Sequence, residues 1–275
     1  MKRILDELER RDLPYTVTET NSGSVIMYAM GYAPFLYNEN QFEIDGFYLT
    51  SNKVYSLSKE LSTLCENAVA SPNLNYKQIA QSSGLGTIGK NDLLFTQKFG
   101  SLCSLGSIYV EGQKERITLK SPEIQCNVCG KCVRNCPTNA LCNGFDREKC
   151  LRQQFDSGMN ENYARSLNKM LLGCNKCSVI CPQNIVAPVL PPQDLSDFLV
   201  ADNFFDLCIK GRKAMSLLGD YVGKNYVRPA KLLTFAVYCI NNVVCNQEKW
   251  LSLLQEYPDE RVQKAVKFVR KFDKI

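Results

Sequence analysis

Two cysteine-rich runs near the centre of the chain have the residue type and the spacing that hold iron–sulfur clusters. The first reads CNVCGKCVRNCP from Cys126 to Pro137, and the second reads CNKCSVICP from Cys174 to Pro182. The first run matches the pattern C-x-x-C-x-x-C-x-x-x-C-P without a mismatch. In that pattern three thiolates bind one 4Fe–4S cluster, and the fourth, directly before the proline, binds a second cluster. The sequence therefore predicts two 4Fe–4S clusters.

Two clusters of this kind need eight thiolates, and the two runs contain seven. The predicted ligands of one cluster are Cys126, Cys129, Cys132 and Cys181. The predicted ligands of the other cluster include Cys136, Cys174 and Cys177. The eighth ligand must come from elsewhere, and Cys150, which lies between the two runs, is the first candidate. Cys142 is the alternative, although it follows the first run so closely that binding the same cluster would strain the chain.

Paired C-x-x-C cysteines also bind structural zinc, so two zinc sites are the alternative interpretation. The triple cysteine of the first run and the Cys-Pro ending of both runs favour iron–sulfur clusters. A disulfide framework is disfavoured, because a chain of 275 residues is large enough to fold without one and the sequence shows no signal peptide. Of the 14 cysteines, those outside the predicted ligand set are expected to be mostly buried apolar residues.

The composition is typical of a globular intracellular protein. Hydrophobic residues make up 45% of the chain, enough for a packed core, and the length allows one large domain or a few small ones. No apolar stretch reaches the length of a membrane span, so a cytoplasmic location without membrane contact is predicted. The chain contains no histidine, which removes the commonest general base and the commonest axial metal ligand.

Positive charge is concentrated towards the C-terminal end of the sequence. The whole chain has a net charge of +5, and residues 204–275 contain 13 basic and 7 acidic residues, a net charge of +6. Basic helix faces bind polyanions such as nucleic acids, but ordinary solvated helix faces have the same composition. The charge alone leaves both interpretations open.

Hydrophobic spacing predicts an α+β chain in which helices and strands precede the cysteine runs and helices alone follow them. Predicted helices of the first part cover residues 1–11, 54–69 and 75–83, and predicted strands cover residues 24–30, 93–95 and 107–110. Ser51 or Asn52 is the expected cap of the second helix. The predicted C-terminal helices cover residues 195–199, 204–210, 229–241, 247–256 and 260–272.

Proline-containing segments indicate two boundaries along the chain, at Ser121-Pro122 and at the sequence PVLPP over residues 188–192. We therefore predict three domains. Residues 1–120 would form a mixed α/β domain, residues 121–190 the domain that holds both clusters, and residues 191–275 a helical region.

A glycine-rich turn, GLGTIG from Gly84 to Gly89, matches the dinucleotide-binding pattern G-x-G-x-x-G. That pattern requires a strand before it and a helix after it. Here a predicted helix precedes it and an extended segment follows, so we discount nucleotide binding. The glycines are interpreted as a turn that lets the backbone approach a neighbour closely, for example a planar or phosphate-bearing cofactor.

The segment from Ser82 to Val110, followed by the two cysteine runs, resembles the epoxyqueuosine reductases. This family is similar to the reductive dehalogenases in combining a cobalamin with two 4Fe–4S clusters. The resemblance covers roughly Ser24 to the end of the chain, and it is most specific in the cysteine region. It implies a cobalamin-binding-type domain, a two-cluster ferredoxin-like domain and a short HEAT-like helical region that grips tRNA in the family.

The resemblance also implies particular site residues. The segment Asp146–Cys150 matches the one in which the family places its isolated cluster ligand, which favours Cys150 over Cys142. The positions implied to contact cobalamin are Gly84, Gly86, Gly89, Lys90, Asn91, Leu94, Ser101, Leu105 and Asp146. Leu218–Asn241 and Glu260–Lys271 resemble the family's repeat helices, which makes tRNA an implied partner.

The chain departs from the family pattern where the family has acidic and aromatic site residues. The family's proton-donating aspartate would lie near Ala70-Ser71-Pro72-Asn73, where this sequence has no carboxylate. An Asp-Tyr-His motif of the family is replaced near Ser51-Asn52-Lys53. The sequence therefore assigns no catalytic residue.

The resemblance implies a reductase that takes single electrons from a flavodoxin or ferredoxin and passes them through its clusters to cobalamin. In the family the result is removal of the epoxide oxygen from epoxyqueuosine in tRNA. The alternative is a ferredoxin-type electron carrier or corrinoid-reducing protein without a tRNA substrate. The missing aspartate favours the carrier, and the basic helical tail favours the reductase.

Overall fold

The computed structural model describes residues 1–119, 125–184 and 186–272. The chain forms two compact units, and each is assembled from separate segments. The first unit comprises residues 1–33, 49–145 and 176–187, and the second comprises residues 34–48, 146–175 and 188–275. The units alternate along the chain, whereas the predicted domains follow one another. That three-domain division stays a prediction, and its boundary at Ser121-Pro122 lies outside the described residues.

Helices and short strands alternate in the first part of the chain, and helices dominate the last part. The helices are α1 (Lys2–Arg10), α2 (Gly46–Ser62), α3 (Tyr76–Ser82), α4 (Lys131–Arg134), α5 (Leu151–Ser157), α6 (Glu161–Ala164), α7 (Lys176–Val179), α8 (Gln193–Phe198), α9 (Ala201–Ile209), α10 (Ser216–Val222), α11 (Pro229–Cys239), α12 (Gln247–Gln255) and α13 (Glu260–Phe272). The strands are β1 (Tyr15–Glu19), β2 (Gly23–Gly31), β3 (Glu43–Ile44), β4 (Ala68–Ala70), β5 (Thr87–Ile88), β6 (Leu94–Phe95), β7 (Cys103–Glu111) and β8 (Met170–Leu172). The predicted α+β class is confirmed.

A four-stranded antiparallel sheet in the order β1-β2-β7-β4 forms the centre of the first unit. Its two long strands pair over their whole length, from Gly23 opposite Glu111 to Gly31 opposite Cys103. β2 is buried along most of its length. Since both faces of a buried strand are covered, such a strand reads as a continuous apolar run, which is why the sequence predicted this one.

The two faces of β2 contribute to different parts of the core. Tyr28 packs with Ile4, Leu8 and Leu61, so one face is covered by α1 and the later turns of α2. Complete burial of an aliphatic side chain such as that of Ile4, Leu8 or Leu61 contributes about 1.5–3 kcal/mol to the stability of the fold. The Tyr28 hydroxyl is satisfied inside this core because it donates to the carbonyl of Val54 at 2.9 Å.

The opposite face of the sheet packs against α3 and the short hairpin formed by β5 and β6. Val25 and Met27 of β2 are buried here with Ala80 of α3 and with Leu85 and Leu94. Asn75 caps α3, since its side chain accepts from the backbone N–H of Gln78. The first part of the glycine turn, Gly84 to Gly86, therefore links α3 to the hairpin, and Gly89 directly follows β5.

Helices surround a buried aromatic cluster in the second unit. Phe42 lies 5.2 Å from Phe204 and 5.5 Å from Phe205, both edge-to-face, and Trp250 stacks on Phe205 at 5.3 Å between ring centroids. β3 and β8 form a short parallel pair beside these helices. Such aromatic pairs contribute about 0.5–1.5 kcal/mol beyond the area they bury, so they are a main stabilising element of this unit.

The prediction for the second helix was wrong at both ends. α2 begins at Gly46, so Ser51 and Asn52 lie inside it and cap nothing. The side chain of Asp45 accepts from the backbone N–H of Phe47 at 3.1 Å and takes the capping role. At the other end Val69 belongs to β4, where it pairs with Tyr109 of β7.

The remaining predicted elements are found with shifted ends, and several elements had not been predicted, among them β1, β4 and α10 and the short helices and strands around the cysteine runs. β1 and β4 are short outer strands of the sheet, and α10 contains a glycine, Gly219, in its middle. Both features weaken the sequence signal, because edge strands are partly polar and glycine is a poor helix former. Among the described residues no helix is both long and apolar enough to cross a membrane.

Candidate functional site

Four of the predicted cluster ligands come together in the first unit. Cys126, Cys129, Cys132 and Cys181 line one pocket. Burial raises the pKa of the Cys132 thiol, and the nearby Cys126 and Cys181 raise it further. Burial also raises the pKa of the Cys181 thiol, with Cys126 and Cys129 adding to the effect. Thiols that raise one another's pKa favour a bound cation or cluster, since the metal removes the proton and neutralises the thiolate charge.

Local backbone geometry brings the thiols of the first run to one side. Val128 and Gly130 both have left-handed backbone angles, with φ of 54° and 71°. A left-handed β-branched residue is uncommon and costs conformational energy, and such residues concentrate at functional sites. The guanidinium of Arg134 donates to the carbonyl of Cys129 at 3.2 Å and holds the turn against the start of α4.

The second run is fastened to the turn before β7 by a single amide side chain. The backbone N–H of Ser101 donates to Oδ1 of Asn184 at 2.9 Å. Nδ2 of Asn184 donates to the hydroxyl of Ser101 at 2.8 Å and to the carbonyl of Ser178 at 2.7 Å. This amide therefore positions Cys181 relative to the sheet. The sequence analysis did not single out Asn184, because these bonds connect residues far apart in the chain.

The glycine turn reaches the same pocket. The backbone N–H of Lys90 donates to Sγ of Cys126 at 3.4 Å, and Lys90, Asn91 and Phe95 line the pocket with the thiols. Hydrogen bonds to the sulfur ligands stabilise negative charge and thereby influence a cluster's reduction potential. The turn is thus part of the cluster site as the structure has it.

Protein atoms account for the glycines of this turn. A Cβ on Gly84 would lie 2.0 Å from the carbonyl oxygen of Leu119, and one on Gly89 would lie 2.3 Å from the Phe95 ring. Gly86 would meet Leu94 and the Phe95 backbone in the same way. The close approach expected at this turn is therefore made by the chain itself.

The other residues implied to contact cobalamin are likewise engaged within the protein. Asn91, Leu94 and Ser101 are buried, and Leu105 packs against the core of the first unit. Asp146 lies in the second unit, where the Lys149 ammonium and two backbone N–H groups lower the pKa of its carboxyl. The assignment of these residues as cobalamin contacts stays a prediction.

The thiols predicted to hold the second cluster are divided between the two units. Cys136 and Cys177 belong to the first, and Cys150 and Cys174 to the second. Sγ of Cys136 accepts from the backbone N–H of Ala140 at 3.2 Å, and Cys150 immediately precedes α5. This second ligand set stays a prediction.

The six cysteines outside the predicted ligand set differ in exposure. Cys208 and Cys239 are buried as expected, Cys142 is exposed, and the others are half-buried: Cys65, Cys103 and Cys245. Among the described residues no three cysteine or acidic side chains converge as ligands of a single metal ion. A 4Fe–4S cluster does not need such convergence, because each thiolate binds a different iron.

At the positions where the family has its proton-donating aspartate, Ala70 to Asn73, this chain has no acidic residue. Ala70 ends β4, and Ser71 has a left-handed φ of 49°. The hydroxyl of the nearby Tyr76 donates to the carbonyl of Pro72 at 2.9 Å. Ser51 to Lys53 lie within α2. No catalytic residue is assigned.

Basic side chains in the second unit form a candidate surface for a polyanion. Lys264, Lys267 and Lys271 are exposed on α13, on the side opposite its buried residues. Burial lowers the pKa of Lys231, the charge of Asp156 opposes the change, and the nearby cations Arg228 and Arg261 lower the pKa further. Exposed cations on one helix face attract phosphates.

Comparisons with known proteins agree with this site. Residues 125–184 match the family model of a 4Fe-4S double cluster binding domain. The epoxyqueuosine reductase of Bacillus cereus is 29% identical over 136 residues, which are 48% of this chain and 35% of that protein. The matched segment is therefore about a third of that relative's length. The prediction of two 4Fe–4S clusters is confirmed.

Two solved structures have the same fold. An epoxyqueuosine reductase from Streptococcus thermophilus superimposes with a TM-score of 0.73 at 16% identity, over 96% of this chain and 88% of that one. An epoxyqueuosine reductase in complex with an epoxyqueuosine-modified tRNA-Tyr stem loop gives a TM-score of 0.70 at 14% identity, over 89% of this chain and 72% of that one. The chain is related to the epoxyqueuosine reductases, as its sequence indicated.

Proposed function

We propose that this chain is a two-cluster iron–sulfur reductase that acts on epoxyqueuosine in tRNA or on a close chemical relative of it. The observation that carries the proposal is the pocket of four thiols, Cys126, Cys129, Cys132 and Cys181, within a double-cluster domain. A protein that binds two 4Fe–4S clusters is suited to transferring single electrons. The relationship to the epoxyqueuosine reductases supports the choice of substrate.

The residues of the first unit have separable tasks in this function. When bound, the clusters accept and release one electron at a time. The thiolates hold the first cluster, and the backbone N–H of Lys90 donates to Sγ of Cys126, which favours added negative charge there. Asn184 keeps the second cysteine run in place through its bonds to Ser101 and Ser178.

Cobalamin enters this proposal only through the resemblance. Most of the residues implied to contact it are packed against protein, while the side chain of Lys90 is exposed, and we assign no step to cobalamin. The absence of histidine from the sequence adds one constraint, since no histidine of this chain can serve as an axial ligand to cobalt.

The tRNA part of the proposal rests on the basic surface of the second unit. Lys264, Lys267 and Lys271 recur at helical spacing and are exposed together on α13. Contacts of this kind are made to phosphates, and each neutralised phosphate makes the logarithm of the binding constant fall with the logarithm of the salt concentration by a slope of roughly one. Binding is therefore expected to be weak and sensitive to salt.

The second candidate function is an electron carrier without a tRNA substrate. The specific observation in its favour is the segment from Ala70 to Asn73, which offers no carboxylate to protonate a substrate. A carrier would need the clusters but neither the acid nor the basic face of α13.

The deciding experiment is complementation of a bacterial strain that lacks its own epoxyqueuosine reductase. Queuosine in bulk tRNA is measured after expression of this protein with its clusters loaded, and its appearance is the expected result. The variant K264E/K267E/K271E should lower tRNA affinity about tenfold or more at low salt, and the control K2E/R3E/K59E should not. Absence of queuosine despite loaded clusters would reject epoxyqueuosine in tRNA as the substrate and favour the electron carrier.

A further inference from the structure

One face of the first unit combines exposed apolar residues with cations beside the first cluster site. We call it the cluster face and define it by Lys90, Val128, Lys131, Arg134, Lys176, Val179 and Ile180. Lys90, Lys131 and the thiols of Cys126 and Cys129 line the same pocket. α4, which contains Lys131 and Arg134, packs against α7, which contains Lys176 and Val179. The cluster face is therefore the route by which the first cluster site meets solvent.

Apolar side chains at this face are exposed to solvent. Val128 is 68% exposed and Val179 is 49% exposed. Val128 also holds a left-handed backbone angle that a β-branched residue rarely adopts, and it directly precedes the exposed ligand Cys129. Apolar residues that a fold leaves in water next to its cofactor mark the centre of a protein–protein contact more often than the surface of a free monomer.

The charge of the cluster face has one sign. Residues 125–145 and 176–187 contain Lys131, Arg134 and Lys176 and no acidic residue at all. Within the described residues, Lys90, Lys131 and Lys176 form no ion pair with a carboxylate. The acidic residue nearest in sequence to Lys90 is Asp92, which is paired with Lys77. As far as the described residues show, these cations are open to a partner.

We propose that the cluster face is the docking site of a small acidic protein that carries single electrons. The inference deepens the proposed function, on which it rests, by naming where electrons arrive. An acidic surface complements the cations, and the exposed valines supply the apolar centre of the contact. On docking, the reduced carrier would give up one electron, and a 4Fe–4S cluster held by the four thiolates of the pocket would accept it. No bond is made or broken.

The same cations have a simpler use, which is to balance the negative charge of four thiolates. That use predicts an effect on the cluster with every reductant. Docking predicts an effect only with an acidic protein donor, because electrostatic steering raises association rates about 10- to 1,000-fold and is screened by salt. The two explanations therefore separate in a kinetic experiment.

The test uses cluster-loaded protein under anaerobic conditions in a stopped-flow instrument. Bleaching of the cluster absorption is followed with two reductants, flavodoxin hydroquinone as the acidic protein donor and photoreduced 5-deazariboflavin as a small uncharged one. The variant is K131E/K176E, and the matched control K2E/K59E reverses two exposed lysines elsewhere in the first unit. K131Q/K176Q serves as a milder variant if charge reversal lowers cluster loading.

The expected result with flavodoxin is a rate about tenfold or more lower for K131E/K176E at low salt, with a flattened salt dependence. K131Q/K176Q should lie between it and the wild type. The rate with deazariboflavin should fall much less, so the ratio of the flavodoxin rate to the deazariboflavin rate should drop for K131E/K176E, while both rates of K2E/K59E should stay at the wild-type value. The proposal is overturned if flavodoxin reduces K131E/K176E as fast as K2E/K59E, or if both reductants slow down equally. Because no tRNA is present, these results do not depend on whether epoxyqueuosine is the substrate.

Discussion

The glycine turn and the first cysteine run are neighbours in the first unit, joined by the bond from the Lys90 N–H to Cys126. Protein atoms fill the space beside the turn: Leu119 meets Gly84, and Phe95 meets Gly89. The thiols of the cysteine run instead line a pocket. The comparison teaches that two motifs that both resemble cofactor sites can have different roles. The glycine turn packs against the chain and supports the site, and the cysteine run is predicted to hold the cluster.

Removing a ligand of the first cluster should have the largest effect. Cys132→Ala takes one of the four thiolates from the pocket, and the cluster is expected to be lost, with about half of the iron and sulfide. Cys208→Ala, which removes a buried thiol from the core of the second unit, should leave the iron content unchanged. Metal analysis of anaerobically purified variants checks this. Full iron content in Cys132→Ala would contradict the ligand set.

The same assay sharpens the assignment of the second cluster. Cys150→Ala should lose or degrade one cluster, and Cys142→Ala, which removes an exposed thiol, should keep both. If the two variants behave the other way round, the eighth ligand is Cys142.

A side chain added to the glycine turn should destabilise the fold beside the cluster site without removing a predicted cluster ligand. Gly84→Ala places a Cβ against a backbone oxygen at a φ of 82°, and should cost about 3–4 kcal/mol of unfolding free energy. Gly112→Ala is the matched control, because it has a φ of 75° but nothing within 4 Å, so about 1 kcal/mol is expected. Thermal or denaturant unfolding measures both. Equal losses of unfolding free energy in the two variants would show that close packing does not explain the glycines of the turn. Contact with a cofactor would then be the better explanation.

The smallest expected effect concerns Asp45, a buried acidic residue in the second unit. Burial raises the pKa of the Asp45 carboxyl, while its bond from the Phe47 N–H and the charge of Arg152 oppose the rise. The folded protein therefore binds a proton that the unfolded chain has released, and stability falls as pH rises from the ordinary aspartate pKa to the raised one.

Asp45→Asn keeps the capping oxygen but cannot ionise. It should remove this pH dependence and be more stable than the wild type at pH 7, on the order of 1 kcal/mol. Urea unfolding at pH 4 and pH 7 provides the measurement. A wild type that gains stability across this range relative to Asp45→Asn would show that the carboxyl is stabilised in its charged form.

The sequence predicted the features that local patterns specify. The cysteine spacing predicted four thiols that the structure brings to one pocket, and the unbroken apolar run predicted β2. The helix predicted over residues 75–83 is found as α3, which Asn75 caps through a bond to a residue only three positions later. α13 followed from its apolar stripe, which places Val262, Ala265 and Val269 in the core.

Features that depend on distant partners were not predictable in this way. The role of Asn184 depends on Ser101, which lies 83 residues earlier. The start of α2 depends on Asp45, a carboxylate that a sequence reader expects on the surface and the structure buries. The glycines of the turn matched a cofactor pattern, and only the packing of Leu119 and Phe95 explains why they are small.

The most direct test of the central claim is the iron and sulfide content of anaerobically purified protein, together with its Mössbauer spectrum. Two 4Fe–4S clusters predict about eight irons and eight sulfides per chain and a spectrum of cubane clusters. Stoichiometric zinc without sulfide would contradict the account, because the same thiols would then be structural and the chain would have no means of carrying electrons.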